Sequence, residues 1–360
     1  MDKINIPKLR LYSQQVSGSG IKSAKELVNY MGAMQAQDFA MAKWAIGLRV
    51  PDLTEQKVEE AFNKGEILRT HLLRPTWHIV SSDDIYWMLD LTAYRIKNSL
   101  RTRHNELELT AKVLSKSNLI IEKSLLENGQ LSREELVERL NAAKISTDKN
   151  RASHIFLNAE LEGIICSGEI KKGKPAYALL GERVPVKKSF SRDESLTMLA
   201  KKYFGSRSPA TIQDFTWWSG LPTSDVKTAV ENIKQDLSSE LINNKSYLVN
   251  NNSGKNVNEK ETVFALAAFD EYIISYKDRS DLLPSDNIGK AIMKNGMFKA
   301  TIVQNGQVVG IWNRTIKKEN VIIKAEYFKK MNKTNLEEIE KVFTQYGKFL
   351  NKKPEVNHKL

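Results

Sequence analysis

Residues 132–180 read SREELVERLNAAKISTDKNRASHIFLNAELEGIICSGEIKKGKPAYALL, and their punctuation decides the fold. Ser132-Arg133-Glu134-Glu135 is a capping box. The Ser hydroxyl and the Glu carboxylate each satisfy an N–H that a helix start leaves unpaired. It opens a helix carrying Leu136, Val137 and Leu140, and a further helix from about Lys149 to Glu162 buries Ala152, Ile155, Phe156 and Ala159. Ile164-Ile165-Cys166 and Tyr177-Ala178-Leu179-Leu180 then read as strands around a Lys171-Lys172-Gly173-Lys174 turn. Upstream, Leu119, Ile121, Leu125 and Leu126 mark another helix, stopped by Asn128-Gly129. Three helices followed by a two-stranded hairpin is the order of a winged helix.

Working outward, a second copy fits residues 191–250. Ser195 to Phe204 is one helix, Ser208-Pro209 opens another that runs to Trp218, and Pro222 to Leu237 is a third, with Leu241 to Val249 as the wing. The start of the chain holds another copy. Ser23 to Met34 reads as helix, Asp38 caps a helix through Leu48, and Thr54 to Lys64 is a third. Ile67 to Leu73 and Thr76 to Val80 form its hairpin, and a helix from Asp83 to about Arg101 joins it to the middle module. The tail differs: strands at Val263 to Phe269, Phe298 to Val303, Gln307 to Trp312 and Val321 to Ala325, with an Asn305-Gly306 turn, predict a small antiparallel barrel or sheet. An amphipathic helix through Leu336, Ile339, Phe343, Tyr346 and Leu350 closes it, and residues after Lys352 are expected to fray. The fold class is therefore α+β. Three tandem winged helices (1–105 with the linking helix, 106–188 and 189–255) precede a C-terminal antiparallel β-barrel with its final helix (256–360).

Composition narrows the function. The chain has 360 residues, 41% of them hydrophobic and 27% charged, with 55 Lys+Arg against 43 Asp+Glu for a net charge of +12. That excess favours a polyanionic partner, because basic side chains that neutralise phosphates release counterions. No apolar run is long enough to span a bilayer and the N-terminus lacks a signal-peptide core, so a cytoplasmic protein without a membrane partner is expected. Cys166 alone cannot build a disulfide or a cysteine metal site, and the five histidines show no close ligand pair on one helix; no metal and no cofactor are expected. Nucleotide and hydrolase fingerprints are absent.

Two segments concentrate polar residues where a short module would place plain core. One is Gly32-Ala33-Met34-Gln35-Ala36-Gln37-Asp38, and the other runs from Leu68-Arg69-Thr70-His71 through Arg74-Pro75-Thr76-Trp77-His78. Taken alone, Gln35 and Gln37 read as helix-end residues and Asp38 as an N-cap. Arg151, His154 and Asn158 share a helix face that could read DNA or simply be solvated, and Glu162 on that face would repel phosphate. The lysines Lys171, Lys172 and Lys174 fit a phosphate-touching wing tip, or a plain exposed turn. Asp270-Glu271 could be an acid–base pair; a structural role is preferred.

With Phe269-Asp270-Glu271-Tyr272 and the residues following to Ser280, these two segments resemble the AlkZ-like family of winged-helix DNA glycosylases. The likeness runs from about residue 5 to residue 350. It implies tandem winged helices around DNA, a C-terminal β-barrel, and excision of alkylated purines or unhooking of interstrand crosslinks. The family's Gln–apolar–Gln catalytic signature is met by Gln35-Ala36-Gln37, and the second segment is similar to its Arg-small-Thr-apolar-His stretch, with Arg74, Thr76 and His78 as candidate DNA contacts. Pro75 and Trp77 depart from the Gly and Leu more often expected there.

The chemistry this implies is self-consistent. An N7-alkylated purine is already cationic, so its departure needs no strong acid; it needs a positioned water and dipoles turned toward an oxocarbenium-like sugar. Glutamine carbonyls can supply both, although they cannot deprotonate water at neutral pH. The expectation is a monomeric, monofunctional glycosylase acting on alkylated double-stranded DNA. The alternative is a non-catalytic winged-helix regulator or lesion sensor. Glutamines facing a basic channel favour the first, and glutamines buried in packing favour the second.

Overall fold

The helix Ala24–Met31 begins at Ser23, whose hydroxyl accepts the Glu26 N–H, and stops at Gly32, which takes a φ of +74°. That left-handed residue turns the chain out of the helix and into a three-residue strand, Ala33–Gln35. The sequence had placed Ala33 and Met34 in the helix and the glutamines at its end. In the computed structural model, which describes residues 5–171, 173–252 and 262–359, Gln35 lies on a sheet instead. Asp38 then caps the helix Phe39–Arg49 by accepting the Met41 N–H, and Thr54 caps Glu55–Asn63. The strands Ile67–Leu72 and Arg74–Ser81 complete the unit, with Arg74–Ser81 in the middle of the sheet between its hairpin partner and Ala33–Gln35.

The hairpin turns on Leu73 alone, at a φ of +58°. Register jumps from His71 opposite Trp77 to Leu72 opposite Arg74, so Pro75 and Thr76 occupy a bulge. A bulge needs no ladder N–H at Pro75, which is why proline is tolerated there.

The same helix–helix–helix–hairpin order recurs. The middle unit has helices Ala111–Asn128, Arg133–Ala142 and Arg151–Leu161 with strands Ile165–Lys171 and Lys174–Leu179, and the Ser132 capping box is formed as expected. The third has helices Arg192–Arg207, Ile212–Ser219 and Thr223–Asn232 with strands Leu237–Ile242 and Lys245–Asn250. Its second helix starts from a capping box at Thr211 and Asp214, three residues later than the Ser208-Pro209 start read from sequence. Joining the first two units are the helices Ile85–Ser99 and Arg101–Glu106. The expected boundary at 255/256 lies outside the described residues.

The tail is an open sheet, and the barrel expected from the sequence is not closed. Five strands run in the spatial order Lys353–Lys359, Asn320–Tyr327, Gln307–Ile316, Ala300–Gln304 and Val263–Leu266, and the two outer strands do not pair with one another. Residues 353–359, expected to fray, form the edge strand and run parallel to Asn320–Tyr327. The helix Lys333–Leu350 is the crossover that makes a parallel pair possible. This sheet shares a core with the first unit: Trp44 packs edge-on to Tyr346 and tilts against Phe349. Gly47 admits that contact, since a Cβ there would sit 2.4 Å from the Phe349 ring. No described helix is long and apolar enough to cross a membrane.

Candidate active site

Gln35 and Gln37 are two residues apart on an extended segment, so the pleat gives them one face while Ala36 turns into the core. The two glutamines nevertheless have different surroundings. Gln35 is only 8% exposed. Its backbone N–H donates to Glu271 Oε1 at 2.7 Å, and its side-chain Oε1 accepts from Arg74 Nη2 at 3.0 Å. Gln37 is exposed, and the backbone N–H of Trp77 donates to its Oε1 at 3.4 Å. The structure thus offers one glutamine to solvent and locks the other behind it.

Gln37 opens into a cleft of about 1070 Å³ between the first unit and the hairpin of the middle one. Arg69, Arg133, Lys171 and Lys174 line it with Trp77, and so do the carboxylates Asp38, Glu134 and Glu135. Arg69 lies 4.0 Å over the Trp77 ring and donates from Nε to the Ala36 carbonyl, so the floor of the cleft is tied to the glutamine strand. Burial lowers the pKa of Arg69, opposed by the charge of Glu160. His71 also packs on Trp77, with ring centroids 4.0 Å apart and planes tilted by 40°. His71 Nδ1 lies 2.5 Å from Glu160 Oε2, and its backbone N–H donates to the same oxygen. Glu160 is fully buried on the middle unit's third helix, so that helix is spent on holding the first hairpin. Asn158 is buried against Asn118 and His154 packs edge-on to His104. The face that sequence left open as a DNA-reading surface is a packing surface.

The remaining candidate residues divide. Arg74 reaches Gln35, as above; burial lowers its pKa while Glu271 raises it. The Thr76 hydroxyl is buried without a hydrogen-bond partner. His78 is 0% exposed, opposite Gln35 in register, and its Nδ1 pairs with the Thr76 carbonyl. A fully buried ring offers no atom to a surface, so the contact expected between His78 and DNA is not available in this conformation. Burial and then the charge of Arg74 push its imidazole pKa down to about 3, leaving it neutral. Lys171 and Lys174 are exposed at the wing and border the Gln37 cleft, where the hairpin turns through Gly173 at a φ of +76°. Lys172 lies outside the described residues.

Sequence reasoning missed what supports the glutamines from behind. Glu271 is fully buried and takes four further donors on Oε2: Arg207 Nη2 at 2.7 Å and Nε at 3.2 Å, Ser275 Oγ at 2.5 Å and Trp218 Nε1 at 3.1 Å. Burial alone would raise its pKa; the Arg207 charge, with the hydrogen bonds of Ser275, Arg207 and the Gln35 N–H, outweighs that and holds it at about 2. Asp270 beside it forms a buried two-pronged pair with Arg49, at 2.7 and 2.9 Å, and caps the Tyr272 N–H. Both carboxylates are therefore structural, as the sequence reading preferred. The signal for Glu271 in the sequence was its place in the Asp270-Glu271 pair; its partners Arg207 and Gln35 lie 64 and 236 residues away.

The strand Ala33–Gln35 thus seats Gln35 on a buried carboxylate, and the chain leaving it places Gln37 in a cleft rich in charged side chains. The family model for DNA glycosylase AlkZ-like proteins matches residues 28–349, and the chain belongs to that family. It is 23% identical over 313 residues to the interstrand DNA cross-link repair glycosylase of Streptomyces sahachiroi, covering 81% of this chain and 82% of that protein. The solved structure of Streptomyces sahachiroi DNA glycosylase AlkZ matches with a TM-score of 0.81 over 99% of this chain and 98% of that one; at 18% identity this shows a common fold.

Proposed function

We propose that this protein is a monofunctional, monomeric DNA glycosylase that hydrolyses the N-glycosidic bond of cationic N7-alkylated purines in double-stranded DNA. It uses no metal or cofactor, and its three helix–hairpin units act as tandem winged helices around the duplex. The observation that carries this reading is the exposure of Gln37 in a cleft bordered by Arg69, Arg133, Lys171 and Lys174 while Gln35 is held by Glu271 and Arg74. The Gln37 carbonyl accepts from the attacking water and turns negative density toward C1′ as positive charge develops there. Gln35, its oxygen already occupied, orients Arg74 and fixes the strand. Water adds its oxygen to C1′, the bond to N9 breaks with its electrons passing to the cationic base, and the water's proton goes to solvent.

The cleft is open and large enough for an adduct that is not a single extruded base, which suits an interstrand crosslink. The similar Streptomyces sahachiroi protein is named for that substrate. The test is excision from duplexes carrying N7-methylguanine or a nitrogen-mustard crosslink. Wild type is expected to leave abasic sites, Gln37→Ala to lose at least a hundredfold in rate with unchanged thermal stability, and borohydride to trap no covalent complex. Binding of both substrates with no abasic product above the Gln37→Ala background would leave the protein as a lesion sensor. The rate on N7-methylguanine is also expected to be flat from pH 6 to 9, since a glutamine does not titrate; an acid limb abolished by Asp38→Asn would transfer the role to that neighbouring carboxylate.

A further inference from the structure

Trp217 is 41% exposed, while Trp218, the next residue on the helix Ile212–Ser219, is fully buried. A solvent-facing indole contributes little to the stability of its own fold, and such residues gather at binding surfaces. The Trp217 ring is held in place: its Nε1–H donates to the Ile274 carbonyl at 3.0 Å. Arg279 and Arg74 flank it with guanidinium carbons 5.5 and 5.8 Å from the centroid. Close stacking in this protein is much tighter, 3.6 Å for Arg10 on Tyr276 and 4.0 Å for Arg69 on Trp77. The two arginines therefore border the Trp217 ring without covering it.

Around this ring lies a second cleft, of about 1280 Å³, separate from that of Gln37 and lined by Arg95, Lys227, Lys277 and Arg279, with Lys245 and the carboxylates Asp214 and Asp278. Among the described residues none of these four has a carboxylate at ion-pair distance, whereas Lys245 at the cleft's edge is paired with Asp278. Arg279 Nη2 is buried without a hydrogen-bond partner. Unpaired cations around an open aromatic face are what a nucleic-acid strand with an unstacked base requires. The cleft also adjoins the glutamine strand, because Arg74 borders Trp217 and donates to Gln35. When a damaged nucleotide is drawn out of a duplex, the base opposite it loses its partner.

We propose that Trp217 is a stacking platform for the unpaired nucleobase opposite the lesion, with Arg95, Lys227 and Lys277 holding the phosphates on either side of that base. This rests on the DNA glycosylase reading above and adds to it a second nucleobase site. The test compares binding of the full chain, at fixed salt, to a fully paired duplex and to the same duplex with one bulged base. Wild type is expected to prefer the bulged duplex about tenfold, Trp217→Ala to bring that ratio close to one, and Trp217→Phe to restore most of it. With 2-aminopurine as the bulged base, wild-type protein is expected to quench its fluorescence by stacking. Absence of quenching by wild type overturns the proposal, even if Trp217→Ala fails to fold. So does a Trp217→Ala variant that keeps the preference or loses affinity equally for both duplexes. N7-methylguanine excision by the same wild-type preparation separates the two readings. Excision without bulge preference overturns this inference alone, and a Trp217-dependent preference without excision overturns the catalytic reading alone.

Discussion

Replacing Glu271 by Gln keeps its shape and removes the one carboxylate that Arg207 faces in a region closed to water. An arginine left buried and uncompensated costs about 3–5 kcal/mol, so Glu271→Gln is expected to lower the free energy of unfolding in urea by that amount and to lower excision with it. The same carboxyl gives stability a pH dependence. Its folded pKa is about 2 against an ordinary value of 4.5. The unfolded chain therefore binds the proton first, and the contribution is complete above about pH 4.5 and lost as pH falls toward 2. His78 adds a second limb of the same sign: with a folded pKa of about 3 against 6.5, its contribution is present above pH 6.5 and erodes as pH drops below it. An NMR titration should find the His78 ring signals unmoved between pH 8 and pH 5; movement with a midpoint near 6.5 would show that the ring is not buried in solution. At this scale the sequence singled out Gln35 and Gln37 and could not rank them. Gln35 and Gln37 share a residue type and a face of one extended segment, and burial with the hydrogen bonds from Arg74 and to Glu271 separates them.

Among the elements, the hairpin that carries Arg74 is braced by a glycine of another unit. Gly220 ends the helix Ile212–Ser219 at a φ of +67°, and a Cβ there would sit 2.6 Å from the Leu73 carbonyl oxygen. Gly220→Ala is expected to cost about 1–3 kcal/mol and to slow excision by pushing the Leu73 turn, and Arg74 with it, away from Gln35. Thermal unfolding and single-turnover rates on the one variant check both halves. The wing carries a different kind of effect. If Lys171 and Lys174 each touch a phosphate, the double alanine variant should flatten the slope of log affinity against log salt by about 2 while affecting all DNA sequences alike. The elements read best from sequence were those with local stop and start signals, such as the Ser132 capping box and the Asn305-Gly306 turn. The strand Ala33–Gln35 was not readable, because all three residues are buried and no alternation marks a strand. The Lys353–Lys359 strand hid for the opposite reason, its mostly polar residues being those of an edge whose pairing depends on a partner far upstream.

For the whole molecule, the sequence described a row of modules, and the structure shows how far they interlock. The C-terminal sheet completes the core of the first unit through Trp44, Trp312, Tyr346 and Phe349. Ending the chain after Lys352 removes the parallel edge strand and uncovers Asn320–Tyr327. The truncated protein is expected to melt earlier and to associate through the exposed strand, seen as a lower midpoint and a larger particle in light scattering. A chain with a frayed tail would lose nothing by the cut.

The bond between the Gln35 N–H and Glu271 spans 236 residues of sequence. A polypeptide still emerging from the ribosome displays both glutamines and the whole first unit long before the carboxylate that seats them has been made. Seating of Gln35 on Glu271 thus waits until synthesis of the chain is about three-quarters done. An aborted product of translation would lack the support that sets Gln35 and Arg74, so this strand is seated late in the manufacture of the chain.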